Sequence, residues 1–188
     1  MLKNRFTLAI VGLLAVSATL SGCTSDGNGA GGSDTFNDQD VLFVQSMIPH
    51  HTQAIDMVDI LREKDGIDER VVELAESIKA AQTPEIEQMN AWLDEWDVSA
   101  DMPGMDHGAG EMGGMMSEED MANLDAASAD SASRLFLSQM TAHHEGAIEM
   151  AQTELDSGEN SGALKLAQSI IDTQQAEIDV MEDIASTL

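Results

Sequence analysis

One pattern occurs twice in this chain, and that constrains its fold more than any other feature. "MIPHHTQAIDM", residues 47–57, returns ninety-three residues later as "MTAHHEGAIEM", residues 140–150. Downstream of each copy lies a second match, "LAESIKAAQTPEIEQM" at 74–89 against "LAQSIIDTQQAEIDVM" at 166–181, at an offset of ninety-two. Repetition on this scale means two copies of one supersecondary unit. Within each unit apolar residues recur at helical spacing and a turn separates two periodic runs, so the unit is a helical hairpin. Two hairpins predict an all-α chain, a four-helix bundle with pseudo-twofold symmetry.

The periodicity starts near Asn37 and runs to the turn "KDGID". A second helix follows through "DERVVELAESIKAAQTPEIEQMNAWLDEW", with Val71, Leu74, Ile78, Ile86, Met89 and Leu93 on one stripe. Residues 97–116 have no helical period. Ser117 to Asp120 has the form of a capping box opening a short helix through Leu124. A third long helix is expected from about Asp130 to Leu155, and a fourth from about Ala163 to Ser186. Pro49 and Pro84 fall inside helical patterns, where proline removes a hydrogen bond and bends the axis. The second half has Ala142 and Ala176 at those places, so the helical reading holds in both halves.

Ahead of the repeats, residues 1–22 have the layout of a secretory signal: Lys3 and Arg5, an apolar run, then small residues. Leu20-Ser21-Gly22-Cys23 resembles the lipobox of bacterial lipoproteins, which implies cleavage before Cys23 and lipid on it. Residues 23–35, rich in Gly, Ser and Asp, then form a flexible tether, and 36–188 form the domain. The expected location is extracytoplasmic and membrane-anchored, at the cell surface or the periplasmic face. Cys23 is the one cysteine, so no disulfide holds the fold. From Cys23 onward, 35 acidic residues face 6 basic ones, a formal −29. Such a surface repels nucleic acid and attracts cations.

Histidine and methionine carry the chemistry. Projected at about 100° per residue, Met47, His50 and His51 share a helix face, Ala54 leaves room, and Met57 lies beside His50 two turns along. Met140, His143, His144, Ala147 and Met150 repeat the arrangement. Imidazole suits zinc, copper, iron and nickel, whereas thioether sulfur selects a soft ion, above all Cu(I). Di-iron bundles place Glu-x-x-His on their inner faces; here Met47 and Met140 stand three residues before the first histidine of each pair. The chain also has no tyrosine. Met89 and Met181 read as ordinary core packing.

The segment 97–116 adds Met102, Met105, His107, Met112, Met115 and Met116 among glycines. Flexible linkers favour Ser, Gly, Pro and charge over methionine, and outside the cytoplasm thioethers are the dependable soft ligands. "MPGMDHGAGEMGGMM" resembles the Met/His-rich segments of exported copper-handling proteins.

"FVQSMIPHHTQAIDM" and "FLSQMTAHHEGAIEM", each followed by "LA-x-S-I … Q-x-x-E-I-x-x-M", resemble the DUF305 family of exported helical proteins over about residues 36–186. The resemblance implies a ferritin-like helical bundle. It also implies copper ligands at Met47, His50, His51 and Met57, and at Met140, His143, His144 and Met150.

Three readings follow. The first is a copper-binding protein, with Cu(I) favoured over Cu(II) and zinc or iron less suited, acting in sequestration, resistance or delivery. Its partners would be copper ions, a membrane through Cys23 and another copper-handling protein. The second is a metal-dependent oxidoreductase such as a cuprous oxidase, although no acid/base constellation or nucleophile motif stands out. The third is a helical scaffold whose histidines are hydrogen-bonded architecture.

Overall fold

The computed structural model describes residues 35–100 and 113–188. The signal segment, Cys23, most of the tether and residues 101–112 lie outside the described residues. Those described form helices and no strand: α1 Asp38–Arg62, α2 Glu69–Trp96, α3 Glu118–Ala126, α4 Ala129–Ser157 and α5 Ser161–Thr187. α1 packs on α2, α4 on α5, and the two hairpins meet through α1 and α4. No described helix is long and apolar enough to cross a membrane.

Local chemistry sets the helix ends. Asn37 caps α1, its side-chain oxygen accepting from the Gln39 and Asp40 amides, while Asp40 accepts from the Asn37 amide at 2.6 Å. Asp40 also accepts from the amides of Glu159 and Asn160, which ties the start of α1 to the α4–α5 turn. Ser117 and Asp120 close the expected capping box of α3. α1 and α2 continue unbroken through Pro49 and Pro84. α4 and α5 each run a residue or two beyond the expected bounds, consistent with the difficulty of placing ends from periodicity.

Buried apolar residues fall into two clusters. One gathers Met57, Val58 and Leu61 of α1 with Val71, Leu74 and Ile78 of α2, Phe136, Leu137 and Met140 of α4, and Ile178, Met181 and Ile184 of α5. The other gathers Phe43, Val44 and Met47 with Met89, Leu93, Ala147, Ala151, Ala163, Ala167 and Ile170. The late turns of α1 thus pack with the early turns of α4, and the reverse, so α1 and α4 run antiparallel. The four paired histidines belong to neither cluster. They come from the mid-portions of α1 and α4, between the residues that build the two clusters.

Candidate metal centre

The two His-His pairs converge. His50 and His143 have ring centroids 3.7 Å apart with planes tilted 40°, and His143 and His144 are 6.4 Å apart. All four rings are fully buried. This follows from the sequence: Met-x-x-His-His places two imidazoles on the inward side of one helix, and an antiparallel partner with the same motif brings its own pair to the same level.

Each ring except His143 has a partner at Nε2. His51 reaches a Glu85 carboxylate oxygen at 2.8 Å and His144 reaches one of Glu177 at 2.8 Å. His50 Nε2 lies 3.3 Å from the Gly113 carbonyl oxygen, a longer contact. The Nδ1 atoms of all four histidines, and Nε2 of His143, are buried without a hydrogen-bond partner. Buried polar atoms are nearly always paired, and leaving one unpaired costs about 1–3 kcal/mol. Five such nitrogens lie in this one layer.

Electrostatics fix the charge of two of the rings. Burial lowers the His50 pKa to about 3, with the neighbouring His51 adding to the effect and the Gly113 carbonyl opposing it. Burial also holds His143 well below the ordinary histidine range, followed by the effects of His50, His144 and His51. Both are therefore neutral at physiological pH, the form in which imidazole donates to a metal.

The methionines divide between the two sides of this layer. Met47 is fully buried in one cluster, with Met150 half-buried against it; Met57 and Met140 are fully buried in the other. Each cluster thus draws methionines from both repeats. Met89 and Met181 are core residues. Among the described residues no three His, Cys, Asp or Glu side chains are disposed to hold one ion together.

The end of the Met-rich segment crosses the layer. The Gln53 amide accepts from the Met116 amide at 2.7 Å and donates to the Met116 carbonyl at 2.8 Å. Gly114, with φ +82°, lies against α4, where a Cβ would meet the Ala142 carbonyl at 2.6 Å. On the helix side, a Cβ on Gly146 would meet the Gly113 carbonyl oxygen at 2.0 Å. Gln53 and Gly146 are equivalent positions of the two repeats, so the copies differ where this strap is seated. Met116 is buried and Met115 half-buried; Met102, Met105, His107 and Met112 lie outside the described residues.

Sequence reasoning assigned no role to Glu85 and Glu177. The signal was present, since both recur in the repeated Q-x-x-E-I and continue the stripe of inward positions that includes Ile78 and Gln82 on α2, and Ile170 and Gln174 on α5. Gln82 and Gln174, one turn away, are themselves buried.

The family model described as "Domain of unknown function (DUF305)" matches residues 40–185. The chain belongs to the DUF305 family. Among solved structures, a DUF305 fragment from Deinococcus radiodurans is 35% identical over 81% of this chain and 98% of its own, with a TM-score of 0.74. A putative secreted DUF305 protein from Streptomyces coelicolor is 30% identical over 79% and 91%, with a TM-score of 0.73. CopM in its Cu(II)-bound form is 33% identical over 79% and 96%, with a TM-score of 0.66. CopM structures with Cu(I) and with silver are similar at 29% and 28% identity. No curated protein matches the chain.

Proposed function

We propose that this DUF305 protein binds copper, as Cu(I), at the histidine layer. The observation that carries the reading is the packing of His50 against His143, one ring from each pair, in a layer of four buried histidines with five nitrogens lacking partners. His50, His51, His143 and His144 supply nitrogen, and Met47, Met57, Met140 and Met150 supply thioether sulfur from the adjoining clusters. The Cu(I)-, Cu(II)- and silver-bound forms of CopM support a copper-like cargo, and the thioethers favour Cu(I) among these. In this reading the four long helices form a ferritin-like bundle around the layer. Met102, Met105, His107, Met112, Met115 and Met116 make the first contact with the ion. Lipid on Cys23 and the 23–35 tether keep the domain at an extracytoplasmic membrane surface, where it sequesters copper or passes it to another copper-handling protein. Binding, not turnover, is the proposed activity.

The test is an anaerobic Cu(I) titration against a competing chelator, with zinc and Fe(II) alongside, repeated on a variant with all four histidines changed to alanine. Stoichiometric Cu(I) binding that weakens sharply in the folded variant is expected. Equal affinity for zinc, or equal binding by the variant, would hand the protein to the scaffold reading.

A further inference from the structure

We infer that Glu85 and Glu177 are the positioning residues of this layer: each fixes one histidine so that Nδ1, not Nε2, faces the cargo. The inference rests on the copper-binding reading and adds two residues and an atom-level assignment to it. A carboxylate accepts hydrogen bonds, so the imidazole nitrogen facing it carries the proton. His51 and His144 each meet a glutamate oxygen through Nε2 at 2.8 Å. In the neutral ring Nδ1 is then the lone-pair donor, and both Nδ1 atoms are buried with no partner among the described residues.

The two contacts are independent instances of one device. Glu85 comes from α2 and Glu177 from α5, the outer helix of each hairpin, and they occupy equivalent positions of the repeat. His50 follows the same rule with a different acceptor, the Gly113 carbonyl. His143 has neither nitrogen engaged, so it alone is free to choose its tautomer.

Charge gives the carboxylates a second effect. Their side chains are only 18% and 12% exposed, and among the described residues neither pairs with a lysine or arginine. Two carboxylates held behind the rings favour a cation at the layer. A carboxylate behind a ligating histidine also strengthens the ring as a donor, and losing such a partner typically lowers metal affinity about 10–100-fold. Because the anions act on charge, Cu(II) should lose more than Cu(I) when they are removed.

The experiment pairs a metal-free measurement with a metal-loaded one. Ring nitrogens of 15N-histidine-labelled metal-free protein are assigned by long-range proton–nitrogen correlation. Cu(I), Ag(I) and Cu(II) affinities are then measured for the parent, Glu85→Gln, Glu177→Gln, Glu85→Leu and Glu177→Leu. His51 and His144 are expected as Nε2–H tautomers in the parent. Leucine should mix the tautomers and cost about 10–100-fold in affinity. Glutamine keeps an acceptor oxygen without the charge and should recover part of both, with the residual loss larger for Cu(II). The inference is overturned if the parent rings are Nδ1–H tautomers, or if the folded leucine variants bind all three ions like the parent. Should the parent bind no copper at all, the copper reading fails by itself, and the metal-free spectra still decide whether the glutamates set the tautomers.

Discussion

Gly146→Ala tests the seating of the strap, because two effects of opposite sign compete there. In an open helix interior the change would stabilise by about 0.8–1.0 kcal/mol, since alanine has the better helix propensity. Here the new Cβ meets the Gly113 carbonyl oxygen at 2.0 Å, its carbon at 2.4 Å and Gly114 Cα at 2.8 Å. All three are backbone atoms, and unstrained carbon–oxygen approaches lie at about 3.3 Å or more. The strap must therefore move by more than an ångström. Movement breaks the paired Gln53–Met116 hydrogen bonds, worth roughly 0.5–1.5 kcal/mol each, and exposes part of the buried Met116, worth up to about 2 kcal/mol. Losses of about 1–5 kcal/mol against a gain near 1 leave a net destabilisation centred on about 2 kcal/mol. Urea unfolding followed by helicity measures this, and hydrogen exchange at the Met116 amide reports whether the strap has lifted. Gln53→Ala removes the same hydrogen bonds, so the double variant should fall short of the sum of the singles. A Gly146→Ala protein as stable as the parent, with Met116 still protected, would refute the argument.

Three other outcomes follow from named groups. Glu154 is buried where the first repeat has Leu61; burial and the neighbouring Asp40 carboxylate raise its pKa to about 8. Its contribution is complete below about pH 4.5 and is lost as pH rises toward 8. Glu154→Gln should therefore match the parent near pH 4.5 and exceed it by on the order of 1 kcal/mol or more at pH 8, as read from urea midpoints; a constant difference across pH would contradict the assignment. His50 and His143 shift the other way: with folded pKa values below the unfolded 6.5, their neutral forms favour the fold above that pH, and stability falls as pH drops below it. Measured in the metal-free Glu154→Gln background, which removes the opposing titration, the midpoint should fall steadily from pH 7 to 5, and a flat profile would count against buried neutral rings. Asp97 ends α2 at φ +56°, the one non-glycine with positive φ among the described residues. Asp97→Gly should raise stability by about 0.5–1 kcal/mol through relief of that conformation, and a loss of stability in thermal unfolding would show that its side chain matters more than its backbone.

The all-helical character and the sites of the turns were legible because duplication repeats every local signal. A periodic run seen twice, with alanine standing where the other copy has proline, outweighs the local argument that proline breaks helices. The capping box at Ser117 and Asp120 was legible for the same reason that any cap is: its hydrogen bonds are made within four residues. What escaped was register between helices. The helical projection groups residues of one helix only, whereas the packing of α1 against α4 puts Met57 and Met140 in one apolar cluster and Met47 and Met150 in or against the other. Glu85 and Glu177 were passed over because a glutamate on an acidic helix is usually solvated. Only their place on the inward stripe, shared with Gln82 and Gln174, marks them as different.

The symmetry and its violations have separate physical jobs. Identical positions in the two repeats build the layer: the histidine pairs, their glutamates, and the methionines on either side. The strap needs the opposite, because one short segment cannot lie on both halves at once. The first copy therefore offers Gln53 as a two-point anchor, and the second offers Gly146 as empty space. Glu154 in place of Leu61 is a third divergence, at the end of α4, beside the Asp40 carboxylate that gathers the starts of α1 and α5. A perfectly symmetric molecule would place His50 and His143 in identical surroundings. In this one the strap engages His50 through Gly113 and leaves both nitrogens of His143 free. On the copper reading the two central rings are therefore inequivalent: an ion at His50 competes with the Gly113 contact, and one at His143 does not.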